Sequence, residues 1–303
     1  VSNSKYGNNG KPQAYLLREK TNSWRNANTL TYENKDLFEG RDRLNVLIGH
    51  EVSSSFKKSV ENVSVAFPNT MNISEIKANM GTGTALPTQS TLGAKENMLS
   101  FFGRANYTLM DRYLLTFTLR GDGSSKFGKG NQWGLFPSAA LAWRISDETF
   151  MESVKDWLSS LKLRLSFGTA GNNRINSGLL NTTYSLSGND ARYPAFGDAM
   201  SSMLEHGTNL YNPDLKWETT VTRNLGIDYG FWNNRISGSI DLYWNTTKDL
   251  LMKTEIPSTT GYNYQYRNFG QTSNKGVEFS MSAVLLDTKK YGLNFTFNLA
   301  YNR

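Results

Sequence analysis

Long runs in which apolar and polar residues alternate are the feature of this 303-residue sequence that most restricts its fold. In residues 113–120, the series Tyr113, Leu115, Phe117 and Leu119 alternates with Leu114, Thr116, Thr118 and Arg120, and residues 135–145, 236–245 and 291–301 repeat the pattern. Because successive side chains of a strand point to opposite faces, each run predicts a β-strand with one apolar and one polar face. About eleven such runs occur, and many are near ten residues long, which suits strands that cross a bilayer at a tilt.

The composition excludes several other classes of protein. The longest uninterrupted apolar segment is residues 139–143, far short of the roughly 20 residues that a transmembrane helix needs. Aromatic residues make up 13% of the chain, too many for a disordered protein, and the absence of cysteine excludes a disulfide-stabilised scaffold. The net charge of +7 comes from basic residues scattered along the chain, so we expect no nucleic-acid partner.

The predicted connections between these strands alternate between short and long. The short ones are residues 34–42, 110–112, 232–234 and 287–290, and the long ones are residues 54–96, 121–133, 171–216 and 248–271. In residues 147–160, Phe150, Val154, Trp157 and Leu158 have helical spacing, which predicts a short amphipathic helix. Outer-membrane barrels have short periplasmic turns and long outer loops, so the whole pattern predicts a transmembrane antiparallel β-barrel with its long loops outside.

Aromatic residues cluster beside the short connections. Tyr107, Tyr113, Phe231, Trp232 and Tyr291 all lie there, which predicts an aromatic girdle at the periplasmic interface. The alternative is that aromatic residues are simply good strand formers. Arg223 is the exception on the predicted lipid face, where we expect its side chain to reach toward the outer headgroups.

The sequence contains no recognisable catalytic arrangement. Its two histidines, His50 and His206, are far apart, and without cysteine neither has an evident metal or nucleophile partner, so we expect no enzyme activity, metal or cofactor. The predicted barrel lumen instead holds charges that can balance one another: Arg104, Arg120, Arg144 and Arg164 opposite Asp228, Asp241 and Glu278.

Several motifs occur in a fixed order and together resemble the SusC/RagA family of TonB-dependent outer-membrane transporters. They are SFFGRANY (100–107), DRYLLT (111–116), RGDGSSKFG (120–128), FPS (136–138), WRIS (143–146), LKLR (161–164), GTAGN (168–172), NPDLKWE (212–218) and NKGVE (274–278). The motif residues that we expect to have structural roles are Gly103, Arg104, Asp111, Arg112, Tyr113, Asp122, Gly123, Ser124, Ser125, Phe127, Gly128, Pro137, Trp143, Arg144, Gly171, Asn172, Pro213, Trp217, Glu218, Gly276 and Glu278.

The resemblance implies an all-β fold, a barrel of roughly 22 strands with a plug domain inside it. We expect residues 1–303 to form about half of that barrel, with the plug domain and the TonB-interacting segment outside this chain. It further implies a bacterial outer-membrane location, surrounded by membrane lipid and lipopolysaccharide, and active import of oligosaccharides or peptides. The implied partners are a SusD-like lipoprotein, which lids the barrel, and TonB.

The long connection 171–216 contains the best candidates for ligand contact. Aromatic rings stack on sugars and peptides, and planar polar groups hydrogen-bond to them. The candidates are Asn189, Arg192, Tyr193, Phe196 and Tyr211. Equally, these side chains could pack the loop against the barrel rim or a partner.

Two other functions remain open at this point. A passive porin or structural outer-membrane barrel would have the same strand pattern. A soluble all-β carbohydrate-binding or hydrolase module would need a second sheet covering the apolar faces.

Overall fold

The structure is a computed structural model that describes residues 12–37, 41–68, 70–181, 184–186, 193–196, 199–201 and 204–303. The chain divides into two compact units. One unit contains the described part of Val1–Arg25 together with Ser53–Asn97, and the other contains Asn26–Val52 and Met98–Arg303.

Ten long strands form one hydrogen-bonded sheet, which confirms the predicted all-β class. In sheet order they are β1 (Ala14–Asn34), β2 (Asp42–Val65), β5 (Glu96–Leu109), β6 (Tyr113–Ser124), β7 (Trp133–Arg144), β8 (Leu158–Asn172), β14 (Glu218–Phe231), β15 (Ile236–Lys248), β18 (Gln271–Asp287) and β19 (Gly292–Asn302). Every pairing from β5 to β19 is antiparallel. The sequence predicts about eleven strands, many of them long, and ten long strands lie in this sheet within the described ranges.

The connections carry the remaining elements. The short strands are β3 (Thr84–Ala85), β4 (Gln89–Leu92), β9 (Tyr184–Leu186), β10 (Tyr193–Phe196), β11 (Ala199–Ser201), β12 (Leu204–His206), β13 (Asn209–Leu210), β16 (Leu251–Glu255) and β17 (Tyr264–Asn268). The helices are α1 (Ile73–Ala78), whose N-terminus is capped by Asn72 and Glu75, and the 3₁₀ segments Met80–Thr82, Ile145–Asp147, Thr149–Val154 and Ser258–Thr260. No helix in the described ranges has the length and apolar character required to cross a bilayer.

The strand register gives the sheet two unlike faces. One row of directly paired residues crosses seven strands from β6 to β19: Leu115, Leu141, Leu165, Leu225, Leu242, Val277 and Tyr301. All seven are exposed, and Leu165 retains 54% of its accessible surface. We call the side that carries this row the apolar face and the opposite side the polar face. Exposed leucines in such number indicate a surface that contacts something other than water.

The short turns agree with the sequence-based prediction, and the long connections agree less well. Met110 and Asp111 turn with positive φ angles of 52° and 56° between β5 and β6. The connection predicted from residue 54 begins later, because β2 continues to Val65 and pairs with β3 and β4. Likewise, β6 continues past Gly121 to Ser124.

The predicted amphipathic helix in residues 147–160 is wrong in type and extent. The segment forms two 3₁₀ stretches and ends at Val154. Leu158 begins β8 instead, because its backbone pairs with Phe231 of β14. Strand pairing therefore overrides the helical spacing of the apolar residues.

Candidate functional site

A compact apolar cluster at the long-loop end of the sheet holds three loops together. This loop-base core consists of Phe127, Phe136, Ile175, Leu179, Leu215 and Trp217, with Met98, Leu251 and Tyr266 packed against it. Phe127 and Leu215 have no exposed surface. The Trp217 ring meets the Phe136 ring edge-on at 5.5 Å and the Phe127 ring at 5.2 Å. Five of the six buried residues lie in the connections between strands, and Phe136 lies in β7, so the core fixes the ends of the loops on the sheet.

Two glycines allow the close approaches in this core. A Cβ atom at Gly128 would collide with the carbonyl oxygen of Pro213, and one at Gly171 would collide with the ring of Phe136. Both glycines belong to family motifs, as does Pro213. The absent side chain of Gly128 lets the loop after β6 touch the loop before β14, and that of Gly171 leaves room for the Phe136 ring.

Hydrogen bonds complete the loop-base core. Trp217 Nε1 donates to the carbonyl oxygen of Gln132 at 2.9 Å. The Glu218 carboxylate accepts from Asn172 Nδ2 at 2.9 Å and from the backbone N–H of Leu251 at 2.9 Å. Glu218 therefore ties β8 to the connection that follows β15.

The motif residues in the last part of β6 add two further contacts to this end. The Asp122 carboxylate, buried on the polar face, pairs with Arg120 Nε at 2.8 Å. Ser124 Oγ accepts from Asn173 Nδ2 at 3.2 Å. Ser125 lies in the turn that follows, and Gly123 leaves room for the Trp133 ring, which would lie 3.0 Å from a Cβ atom there.

The polar face carries an ion cluster in the middle of β8, β14 and β15. Arg164 contacts Asp228 at 2.8 Å and Asp241 at 3.0 Å, and Lys162 lies 3.6 Å from Asp228. Gly226 lies beside these groups, and its lack of a side chain leaves room for them. A Cβ atom there would lie 2.7 Å from the Arg164 guanidinium. The predicted balance between Arg164 and the two aspartates is confirmed.

The other predicted luminal charges behave differently. Arg144 pairs with Asp147 at 3.0 Å instead of reaching the luminal aspartates, because it ends β7 and lies beside the short-turn segment. Glu278 is directly opposite Asp241 in the register and has no basic partner among the described residues. Arg104 lies on the polar face, and its neighbour Gly103 lies on the apolar face.

A second cluster stands at the short-turn end and centres on Glu148. Its carboxylate accepts hydrogen bonds from Tyr113 Oη at 2.7 Å, Trp143 Nε1 at 2.9 Å and Arg112 at 3.0 Å. The hydrogen bonds from Tyr113 and Trp143 and the positive charge of Arg112 lower the pKa of Glu148 from its ordinary value. Asp111, in the same turn, forms an ion pair with Arg43. Three family-motif residues therefore share one acceptor.

The aromatic residues expected in a girdle lie at this same end. Trp157 stacks on Phe231 with ring centroids 5.9 Å apart and planes 5° from parallel. Trp232 and Tyr291 are exposed, and Tyr107 donates its hydroxyl to Asp42 at 2.7 Å. The positions agree with the prediction.

The structure describes little of the candidate ligand-binding set. Asn189 and Arg192 lie outside the described residues. Tyr193 and Phe196 belong to β10, whose backbone pairs with β11. Tyr211 is exposed, and its carbonyl oxygen accepts from Gln265 Nε2 at 3.1 Å. The grouping of these five residues into one site therefore stays a prediction.

Two further motif residues make contacts between strands. A Cβ atom at Gly276 would crowd the hydroxyl of Tyr243, and the carbonyl oxygen of Pro137 accepts a hydrogen bond from Thr169 Oγ1 at 2.9 Å. The sequence analysis assigns no role to Glu148 or Gln132, and it includes Phe136 only as a member of the FPS motif (136–138). For Glu148, the available signal was the acidic pair Asp147-Glu148, which directly follows the motif WRIS (143–146). The described residues contain no group of acidic or histidine side chains that could hold a metal ion.

Comparison with known proteins identifies the family. Residues 2–303 match the family model "TonB dependent receptor-like, beta-barrel". The chain is 43% identical over 216 residues to the TonB-dependent receptor SusC of Bacteroides thetaiotaomicron, which covers 71% of this chain and 21% of that protein. It is 32% identical over 293 residues to the TonB-dependent receptor P26 of Formosa agariphila, covering 93% of this chain and 28% of that protein.

Solved structures agree with the sequence comparisons. The RagAB peptide transporter superposes with a TM-score of 0.76 and 28% identity, covering 97% of this chain and 31% of that chain. The chain thus spans between about a fifth and a third of the length of these relatives. It belongs to the TonB-dependent receptor β-barrel family, in its SusC/RagA branch, and is a transmembrane antiparallel barrel segment of the bacterial outer membrane.

Proposed function

We propose that this chain forms part of the wall of a SusC-like active importer that carries oligosaccharides or peptides across the outer membrane. The observation that carries the proposal is the 43% identity to SusC over 216 residues. The structurally similar RagAB is a peptide transporter, so the proposed cargo includes peptides as well as oligosaccharides.

In this proposal the chain binds and guides ligand without chemical conversion. The loop-base core holds the outer loops in position, and the polar face lines the passage with the Arg164 ion cluster. Ligand contact is assigned to the loop residues Asn189, Arg192, Tyr193, Phe196 and Tyr211, of which Tyr211 presents an exposed ring. Aromatic rings and planar polar groups suit both sugars and peptides. We assign no enzyme activity to the chain.

The partners follow from the family. A SusD-like lipoprotein would close the barrel from outside, and TonB would supply energy through parts of the parent protein beyond residues 1–303. The share of the relatives that this chain covers, between 21% and 31%, supports placing the plug domain and the TonB-binding segment there.

Deletion of the parent gene tests the function. The deletion strain should lose growth on particular glycans or peptides supplied as sole nutrient, and the full-length gene should restore it only in cells with active TonB. Restoration without TonB would contradict active import and indicate a passive pore. Normal growth of the deletion strain on every glycan and peptide supplied would contradict import altogether.

A loop variant tests the ligand assignment separately. Tyr211→Ala should raise the ligand concentration that gives half-maximal uptake, because the variant loses an exposed stacking ring. Phe269→Ala is the matched control, since Phe269 is an exposed loop aromatic outside the candidate set. Equal uptake by both variants would contradict a role for Tyr211.

A further inference from the structure

Basic side chains interrupt the apolar face near the long-loop end of β14, β15 and β18. Arg223 of β14 pairs with Trp244 of β15, which pairs with Lys275 of β18, and Lys248 lies on the same face at the end of β15. No acidic residue of β14, of β15, or of β18 up to Ala283 lies on this face. Within the part of the chain that the structure describes, none of the three basic residues has an acidic partner.

Arg223 is held in place by an aromatic ring. Its guanidinium carbon lies 5.2 Å from the centroid of the Trp244 ring, and Trp244 Nε1 donates to Ser273 Oγ at 3.0 Å. The ring supports one side of the guanidinium, while both Arg223 and Trp244 remain exposed. Stacking leaves the planar N–H groups available for an anion with several oxygen atoms.

The length of β14 places Arg223 at the outer boundary of the bilayer. The nine residues from Arg223 to Phe231 are about the number that a tilted strand needs to cross the hydrocarbon layer. Phe231, stacked on Trp157, marks the short-turn boundary, and Trp244 beside Arg223 marks the long-loop boundary. Long loops of such barrels face outward, so the guanidinium lies at the level of the outer-leaflet headgroups.

An apolar groove starts beside Arg223. It has a volume of about 360 Å³ and is lined by Leu115, Ala139, Leu141, Leu165, Phe167 and Arg223. The small side chain of Ala139 leaves the space, because its register partners on either side are the larger Phe117 and Phe167. Leu115 lies near the short-turn end of β6, which begins at Tyr113. The groove therefore leads from the headgroup level toward the bilayer interior.

We propose that Arg223, Lys275 and Lys248 bind the phosphate of an outer-leaflet glycolipid, one acyl chain of which occupies this groove. The outer leaflet of this membrane is built from lipopolysaccharide, whose lipid anchor joins phosphate groups to several acyl chains. Arg223 borders the groove, and Lys275 and Lys248 lie on the same face of the neighbouring strands, so the cations and the groove together complement that anchor in charge and in polarity. The site is on the outside of the barrel wall and is independent of the imported ligand.

Lipid binding to the purified full-length parent protein in detergent tests the proposal. Native mass spectrometry would compare phosphorylated lipid A with the same lipid after removal of its phosphates. The wild type should bind the phosphorylated lipid about tenfold more tightly, as expected for charge-assisted hydrogen bonds. Equal binding of the two lipids by the wild type would overturn the proposal without reference to any variant.

Matched variants locate the site. R223Q/K275Q should lose the preference for phosphorylated lipid, while K289Q/K290Q, which removes the same charge at a short turn, should retain it. An unchanged preference in folded R223Q/K275Q would overturn the assignment. Excess inorganic phosphate should leave the lipid bound to the wild type. Displacement by inorganic phosphate would indicate a free-anion site and would overturn the assignment to a lipid.

Discussion

Glu148 shows how one carboxylate organises the short-turn end of the sheet. Three side chains from β6, β7 and the preceding turn donate to it, and its side chain retains only 12% of its accessible surface. A carboxylate that accepts several hydrogen bonds is favoured in its charged form, which is why its pKa is lowered. Folding therefore gains stability from this group only while it is ionised.

Acid should remove that stability. Because the folded-state pKa of Glu148 is lowered, its contribution is complete well above the unfolded-state pKa of about 4.3 and is lost as pH falls through the folded-state pKa. We expect E148Q to unfold at a lower temperature than wild type at pH 7, with the difference shrinking toward pH 3. Thermal unfolding of the detergent-solubilised parent protein measures this. Glu152→Gln, an exposed carboxylate nearby, should show no such trend, and a pH-independent E148Q difference would contradict the account.

Trp217 is the corresponding residue at the long-loop end. It contacts two phenylalanines and donates to Gln132, so Trp217→Ala removes packing and a hydrogen bond together. Replacing a buried aromatic residue by alanine costs about 3–5 kcal/mol, here concentrated in the loops. Protease added to intact cells should cleave the outer loops of Trp217→Ala faster than those of wild type. The exposed Trp133→Ala is the control, and equal cleavage in the two variants would contradict a loop-base core.

Among the elements, the strands were predictable and the loops were not. Alternation with period two predicts β6, β7, β14 and β15 because one face of each is apolar. The second half of β2 escapes this reasoning. There Lys57, Lys58 and Glu61 leave no apolar face, and pairing with β4 holds the backbone extended.

The same distinction applies to the functional residues. The contact of Arg164 with Asp228 and Asp241 was predictable, because side chains alternate between the two faces of a regular strand and all three residues fall on the polar face. Glu148 binds Arg112 across 36 residues of sequence, and Trp217 binds Gln132 across 85. Contacts between turns and loops depend on tertiary packing, for which local patterns carry no signal.

Loop contact across Gly128 gives a prediction at the level of elements. Gly128→Ala would force the loop after β6 away from Pro213, because the new Cβ atom collides with that carbonyl oxygen. Overpacking of this kind costs about 1–3 kcal/mol. On a gel, the folded parent protein runs as a band that disappears when the sample is heated before loading. In Gly128→Ala this band should disappear at a lower temperature than in wild type. Gly292→Ala, where nothing lies within 4 Å of the new atom, should behave like wild type, and identical profiles for both would contradict the contact.

At the scale of the whole molecule, the exposed leucine row explains the fold. An antiparallel sheet in water buries one face under a second layer. Here seven strands present apolar residues outward while the opposite face holds an ion cluster. A barrel wall stabilises both faces, because lipid covers the apolar face and the polar face lines the barrel interior, which agrees with the family to which the chain belongs.

Orientation in the membrane is the central claim, since the loop-base core, the girdle and the lipid site all depend on it. Ser258 lies in a long connection and Lys289 in a short turn, both are exposed, and the chain has no native cysteine. In the full-length parent protein on intact cells, Ser258→Cys should react with a membrane-impermeant thiol reagent, whereas Lys289→Cys should react only after the outer membrane is breached. Labelling of Lys289→Cys together with protection of Ser258→Cys on intact cells would contradict the account.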